Sequence, residues 1–343
     1  KDVPVIIISG HASIEMAVKS LHKGAFEFIE KPFDQERLLN FVKRAVENYN
    51  LKRQNKEYES KLFSSYELIG NSKNILNIQN QVEKISVTES RVFINGPSGS
   101  GKELVARKIH KLSNRSKNQF IILNGALLDS NKYELELFGE EKENGSISYG
   151  ALEKANKGTL LIDQVSEIPL DIQSKILRVL TDQKFKRVNG ANDVSVDVRL
   201  ICSSSKDLKK EIEIGNFRED LFHRINVFEI NIEPLNQRIS DIPLLIKYFS
   251  KKISENYKIR ELDIDENNSY ILNHNWHGNV RELRNLIERI AILQPDSKDK
   301  ISNIIKESLK NTNFDDQLAE NSLSVPLKEA REKFEKEYLT IQL

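Results

Sequence analysis

One cysteine, Cys202, stands in 343 residues, so no disulfide framework holds the chain together and the composition fits a reducing cytosol. Long apolar runs are missing as well. None approaches the ~18 residues that a membrane-spanning helix needs, and no secretory signal opens the chain. There is no surplus of charge either: 52 Lys and Arg nearly cancel 51 Asp and Glu, for a formal net charge of +1. No global basic field therefore points to nucleic acid, and any contact with it must be local. An initiator Met is absent too. Lys1 precedes what reads as a buried strand, so the sequence is expected to be a fragment that starts in mid-domain.

What is present is ordinary for a globular protein of two or three domains, with 38% hydrophobic and 30% charged residues. "VPVIIISGHAS" (residues 3 to 13) is a continuous apolar run closed by Gly10, the pattern of a strand covered on both faces. A helical stretch, "SIEMAVKSLHKGA", and a short strand in "FEFIEKPF" follow. Leu38, Val42, Ala45 and Tyr49 then recur at helical spacing before the pattern fades into the charged "NLKRQNKEYESK". This reads as the closing helix of a domain that spans residues 1–48, continuing into a linker helix over 49–65, with the makings of a short coiled coil.

From Tyr66 to about Pro234 strands alternate with helices: "RVFING", "QFIILNG", "GTLLID" and "VDVRLICSS" argue for a mostly parallel sheet in an α/β domain, taken as residues 66–236. Residues 237–312 lose the strand signal and become helical, with Val280, Leu283, Ile287 and Ile290 on one apolar face. The polar "NTNFDDQLAENS" marks a linker, bounded at 313–326. In the last segment, 327–343, Leu327, Ala330, Phe334 and Tyr338 share a helix face. No element follows to cover that face, so this end also reads as cut.

The chemistry is concentrated in "GPSGSGKE", Gly96, Pro97, Ser98, Gly99, Ser100, Gly101, Lys102 and Glu103, which follows one apolar strand and opens a helix. Glycines let the backbone curl so that its N–H groups and the helix N-terminus face an anionic phosphate, and Lys102 reaches the outer phosphates. The general pattern has Ser or Thr after that Lys, to hold magnesium. Here it is Glu103. His274 and His277, three apart, could share a helix face, but no third ligand lies nearby and "NWHGN" reads as a turn. Cys202, on an apolar strand, reads as a small core residue.

With "ELFG" (136 to 139), "GTLLID", "FREDLFHRINVF" (217 to 228) and "WHGNVRELRN" (276 to 285), the glycine loop resembles that of the NtrC family of AAA+ transcriptional regulators, whose phosphate loops also end in GKE. The resemblance covers essentially the whole chain, and the tail looks most like the nitrogen-linked branch. It implies an AAA+ P-loop NTPase fold, a parallel sheet with helices, plus a small helical lid, preceded by the C-terminal part of a flavodoxin-like receiver domain. The cofactors it implies are ATP and Mg2+, with Asp163 supporting the metal and Asn124 near the catalytic water. Arg218 and Arg224 would be arginine fingers toward a neighbouring subunit's nucleotide, Arg281 the sensor arginine of the lid, and Ile69 a nucleotide contact. In the receiver part Ser9, Lys31 and the switch aromatic Phe28 match the phosphoryl-sensing positions, with Lys31-Pro32 a candidate cis peptide.

The resemblance likewise implies a cognate sensor histidine kinase, promoter DNA bound through a Fis-type domain that begins with the final helix, self-association as a dimer or ring, and no membrane. A more remote alternative, an AAA+ chaperone or clamp loader, leaves the receiver part unexplained. Three departures bear on activity. The polymerase-engaging loop, normally GAFTGA, is replaced by the shorter "ELFGEEKENGSISYGALEKA", which argues against direct contact with sigma-54 on RNA polymerase. The Walker B Glu is Gln164, and the sensor Asn falls on Ser205. Together they lead to the expectation that ATP is bound and is hydrolysed slowly if at all, against the alternative of a working ATPase that opens sigma-54 promoters.

Overall fold

The computed structural model describes residues 3–10, 14–22, 24–63, 67–127, 130–143, 145–260, 262–295 and 297–309. They fall into two compact units that divide between Glu67 and Leu68. In the first, β1 (Ile6–Ser9) and β2 (Glu27–Glu30) pair in parallel around α1 (Ile14–His22). The closing helix runs on into the linker as one element, α2 (Gln35–Phe63), unbroken for 29 residues. Ala45 is buried and Leu38, Phe41 and Tyr49 are half-buried. Val42 is 41% exposed, so Phe41 takes the inward place expected of it, one residue round the helix.

The second unit begins with α3 (Lys73–Ser86), capped by Ser72, whose hydroxyl accepts from the Ile75 amide. Then come β3 (Val92–Asn95), α4 (Lys102–Lys111), β4 (Phe120–Asn124) and α5 (Ser130–Phe138). A hairpin of β5 (Gly139–Glu141) and β6 (Ile147–Tyr149) leads through α6 (Ala151–Lys154) into β7 (Thr159–Asp163) and α7 (Leu170–Asp182). A second hairpin, β8 (Lys184–Lys186) with β9 (Asp193–Ser195), precedes β10 (Arg199–Ser204), α8 (Leu208–Glu213), α9 (Glu219–Ile225) and β11 (Phe228–Asn231).

The main sheet is five-stranded and parallel, in the order β11-β3-β10-β7-β4. The four strands expected from apolar runs are its inner members and one edge. The fifth, β11, has the shortest apolar signal and is held by pairing with β3. Side chains pack on both faces, as the near-continuous apolar runs require. Ile75, Ile78, Val82, Ile94, Val105, Ile109 and Ile201 form one core cluster, and Leu137, Leu160, Ile162, Ile172, Leu200, Leu221 and Ile225 belong to another. Cys202 is 1% exposed among the latter, and burial pushes its thiol pKa upward, so it is a core residue and not a nucleophile.

The lid is helical as expected: α10 (Ile242–Tyr257), α11 (Ser269–Leu272), α12 (Asn279–Leu293) and α13 (298–309). Leu283, Ile287 and Ile290 are buried in its own core with Trp276 and Ile246, and Val280 packs half-buried against it. The linker 313–326 and the helix expected over 327–343 lie outside the described residues. Among the described residues no helix is long and apolar enough to cross a membrane.

Candidate functional site

All five strands run the same way, so the chain leaves them at one edge, where open α/β sheets receive their ligands. Asn95, Asn124, Asp163 and Ser204 end β3, β4, β7 and β10 there. The glycine loop bridges β3 to α4, which starts at Lys102 behind Gly101, in left-handed backbone and with no side chain capping it. That positive helix end suits an anion. Lys102 is 6% exposed. Its ammonium donates to the Gly96 and Pro97 carbonyls, at 2.7 and 3.0 Å, and burial depresses its pKa to about 8 despite the pull of Asp163. Ser100 is also buried, and its hydroxyl has no partner. The loop is thus a cradle with a buried cation and an unused donor, which fits a phosphate chain.

Asp163 and Asn124 are register partners at the ends of β7 and β4. The Ser203 hydroxyl donates to Asp163 Oδ1, and Asn124 Oδ1 accepts from the Ala126 amide at 2.9 Å. Gln164 sits at φ 57°, ψ 54°, left-handed backbone that side chains rarely adopt. Its side-chain amide oxygen, Oε1, accepts from both the backbone amide and the hydroxyl of Ser205, at 3.1 and 2.8 Å. The two positions that depart from the family pattern are therefore bonded to each other. Glu103 is turned away along α4 to Arg107, at 2.7 Å, so it does not stand in for the missing magnesium-holding hydroxyl.

The lid reaches the cradle through three side chains. Arg281 Nη1 donates to the Ser98 hydroxyl at 3.3 Å, buried Asn279 donates to the Ser98 carbonyl at 2.9 Å, and Arg238 donates to the Ser100 carbonyl at 3.0 Å. Gly99 has φ +74°, and a Cβ there would lie 2.2 Å from the Gly278 carbonyl oxygen, so only glycine lets the lid approach. Ile69, the expected nucleotide contact, packs half-buried against the lid core.

The two expected arginine fingers differ in setting. The Arg218 side chain is 41% exposed and paired with Asp220 at 2.6 Å. Arg224 is half-buried, with Nη2 on the Leu180 carbonyl at 3.1 Å and Nε buried without a partner. The histidine pair is explained by packing. His274 is buried, 2.8 Å from Glu282 and edge-on to Trp276, while His277 is exposed. Among the described residues no cluster could hold a metal ion by itself.

In the first unit, Ser9 ends β1 and Lys31 directly follows β2, and the Lys31 amide donates to the Ser9 carbonyl at 2.9 Å. Phe28 is half-buried in β2, and the Lys31-Pro32 peptide is cis, as expected.

Comparison with known proteins matches the family described as Sigma-54 interaction domain over residues 68–231, the AAA+ ATPase lid domain over 236–321 and the response regulator receiver domain over 1–43. The chain is 41% identical to the nitrogen assimilation regulatory protein NtrX of Azorhizobium caulinodans, over 100% of this chain and 77% of that protein. It belongs to the NtrX branch of the NtrC-type response regulators. A putative NtrX-like response regulator of Rickettsia typhi is 41% identical over 99% of this chain and 74% of its own. A crystal structure of NtrX from Brucella abortus in complex with ADP superposes with a TM-score of 0.74 at 42% identity, covering 99% of this chain and 77% of that one. The same protein in complex with ATP gives 0.72 at 41%.

For this NtrX-type chain, then, the receiver, sigma-54 interaction and lid parts and their α/β fold stand as read from the motifs. Sequence reasoning missed Arg238, Asp241 and Asn279. Only Asn279 lay inside a recognised motif, and its left-handed φ of 53° leaves no trace in residue pattern.

Proposed function

We propose that this NtrX-type chain binds ATP with magnesium and hydrolyses it slowly if at all, so that its AAA+ part works as a nucleotide-dependent assembly element in a phosphorylation-controlled transcription regulator. One contrast within the site carries the reading. The binding groups, Lys102 and Asp163, stand in an intact cradle, whereas the position that would activate water is an amide whose oxygen is already taken by Ser205. An amide cannot accept the water's proton, and loss of a general base slows a reaction ~10²–10⁴-fold. The ATP- and ADP-bound NtrX structures from Brucella abortus support the binding half of the reading.

In this reading the loop amides and Lys102 hold the phosphate chain, and Asp163, oriented by Ser203, supports magnesium. The metal, when bound, neutralises phosphate charge. Asn124 orients the water position, Arg281 reaches the cradle from the lid, and Arg218 and Arg224 face a neighbouring copy in a dimer or ring. Ser9, Lys31 and Phe28 read a phosphoryl group delivered by a cognate sensor histidine kinase. DNA contact is assigned to a Fis-type domain whose first helix would be residues 327–343, outside the described residues, and such a regulator works in the cytoplasm.

The β5–β6 hairpin stands where the family's polymerase-engaging loop is expected. Its short, acidic sequence supports a regulator that does not touch sigma-54 directly. The second reading, an active ATPase that remodels sigma-54 RNA polymerase, is favoured by the sigma-54 interaction match over residues 68–231 and by the ability of a Gln to orient water in some GTPases.

Calorimetry with ATP and magnesium on the chain and on Lys102→Ala tests the binding half. Binding that is largely lost in the variant is expected, since the cation at the outer phosphates is gone. Equal affinity in both proteins rejects it.

A further inference from the structure

Arg238 and Asp241 lie in "LNQRISDI", a stretch to which no motif assigns a role, yet they are among the most deeply buried charged groups among the described residues, at 3% and 0% exposure. Burying a charge is costly unless it is bonded on all sides, so the partners reveal what the pair is for. Asp241 accepts from the Asn71 and Ser72 amides at Oδ1, both at 2.7 Å, and from the Ser72 hydroxyl at Oδ2, at 2.8 Å. These partners lie about 170 residues away in the chain. Gly70 comes so close that a Cβ would lie 2.6 Å from the carboxylate. One turn earlier, Arg238 stands 3.9 Å from the same carboxylate and gives Nη2 to the carbonyl of Ser100, inside the glycine loop.

The segment so gripped sits between the two subdomains. Leu68 packs against the core around β3 and α4, and Ile69, next in sequence, packs against the lid core. The pair therefore joins three things: the glycine loop, the segment entering α3, and the lid. Two buried donors on the loop side, Ser100 Oγ and Arg238 Nε, have no partner. Of these, the Ser100 hydroxyl lies in the glycine loop itself, on the residue whose carbonyl Arg238 holds, so the joint fixes the one loop residue with a donor left for a ligand.

We propose that Arg238 and Asp241 are positioning residues of the nucleotide site. Arg238 fixes the peptide at Ser100 so that the loop is held open to a phosphate chain, and Asp241 fixes Arg238 while tying residues 70–72 to the same joint. The inference rests on the nucleotide-binding reading above. It adds that the site's affinity depends on a buried ion pair outside the loop.

The test is calorimetry with ATP and magnesium on the chain and on Arg238→Ala, Arg238→Lys, Asp241→Asn and Ser72→Ala, with thermal melts and hydrogen exchange at the Asn71 and Ser72 amides. Arg238→Ala is expected to weaken ATP binding about tenfold or more, the size of one charge-assisted hydrogen bond. Guanidinium ion at a few tens of millimolar should restore part of the loss, a readout that general destabilisation does not move. Lysine lacks the planar fork that spans Ser100 and Asp241, so Arg238→Lys should recover little. Asp241→Asn and Ser72→Ala should speed exchange at both amides and lower ATP affinity. If Arg238→Ala or Asp241→Asn does not fold, Arg238→Lys and Ser72→Ala carry the test. Wild-type binding with unchanged affinity in the folded variants, or losses that guanidinium leaves untouched and that a lid-core variant of equal melting temperature such as Leu245→Ala reproduces, overturns the inference alone. A wild-type chain that does not bind ATP removes the nucleotide reading and this inference with it.

Discussion

The buried ammonium of Lys102 makes nucleotide affinity depend on pH in a window where few other groups titrate. Burial is the main cause that lowers its pKa from 10.5 to about 8, with Asp163 opposing and Arg281 adding to the fall. At 1.36 kcal/mol per pH unit, the charge costs the folded, free site roughly 3 kcal/mol. Above pH 8 the free site gives up its proton, whereas the unfolded chain keeps it to about pH 10.5 and a phosphate chain against Nζ draws it back. Two consequences of opposite sign follow between those limits. The unfolded state binds more protons, so this group's contribution to the stability of the unliganded protein rises with pH. ATP binding takes up a proton, so affinity should be flat below about pH 8 and then fall, approaching tenfold per pH unit. Calorimetry at about pH 9, with magnesium fixed and two buffers of different ionisation heat, reads the proton directly. Equal affinity at about pH 8 and pH 9.5 with no proton uptake refutes the reasoning.

Gly99→Ala places a methyl group 2.2 Å from the Gly278 carbonyl in left-handed backbone, so it should lower unfolding free energy by ~2 kcal/mol or more in urea and weaken ATP binding; an unchanged midpoint contradicts the account of lid docking. Arg187, just after β8, grips Glu153 of α6 with two bonds of 2.8 and 2.6 Å and lies over Tyr149 of β6, tying the β8–β9 hairpin to the end of the β5–β6 hairpin and to α6. Arg187→Ala is therefore expected to cost ~1–3 kcal/mol and to speed hydrogen exchange in both hairpins without changing ATP affinity, and hairpin amides that exchange at the wild-type rate would count against it. Arg218→Ala should leave the melting temperature nearly unchanged, whereas Arg224→Ala should lower it by the equivalent of ~1 kcal/mol, because Arg224 is half-buried on the Leu180 carbonyl while the Arg218 side chain makes only exposed contacts, to Asp220 and the Ser174 hydroxyl. Equal effects on melting would erase that distinction.

The parts of the site that were legible in the sequence are those whose geometry is local. A strand, a glycine loop and a helix in that order could hardly build anything but the cradle from Gly96 to Glu103, and the apolar faces of α12 and the four long strands carry their own period. What escaped depends on distant partners. β11 is a strand because β3 offers it an edge, and β5 and β6 are three residues each, too short for alternation to register. Val42 and Phe41 both fit the helix pattern of α2, and only packing chooses between them. Asp241 reads as an ordinary surface Asp after a short polar turn, since its donors at Asn71 and Ser72 are remote in sequence. Gln164 and Ser205 were visible as separate departures. That they bond to each other became apparent only once β7 and β10 stood side by side.

Steady-state ATP turnover of this chain beside its Gln164→Glu variant tests the central claim most directly. An amide held by Ser205 should leave the wild type far below ~1 s⁻¹, and restoring a carboxylate should raise turnover tenfold or more where Arg218 and Arg224 can assemble on a neighbouring copy. Wild-type turnover at ~1 s⁻¹ or faster, unimproved by Gln164→Glu, would contradict the account and make the chain a working ATPase.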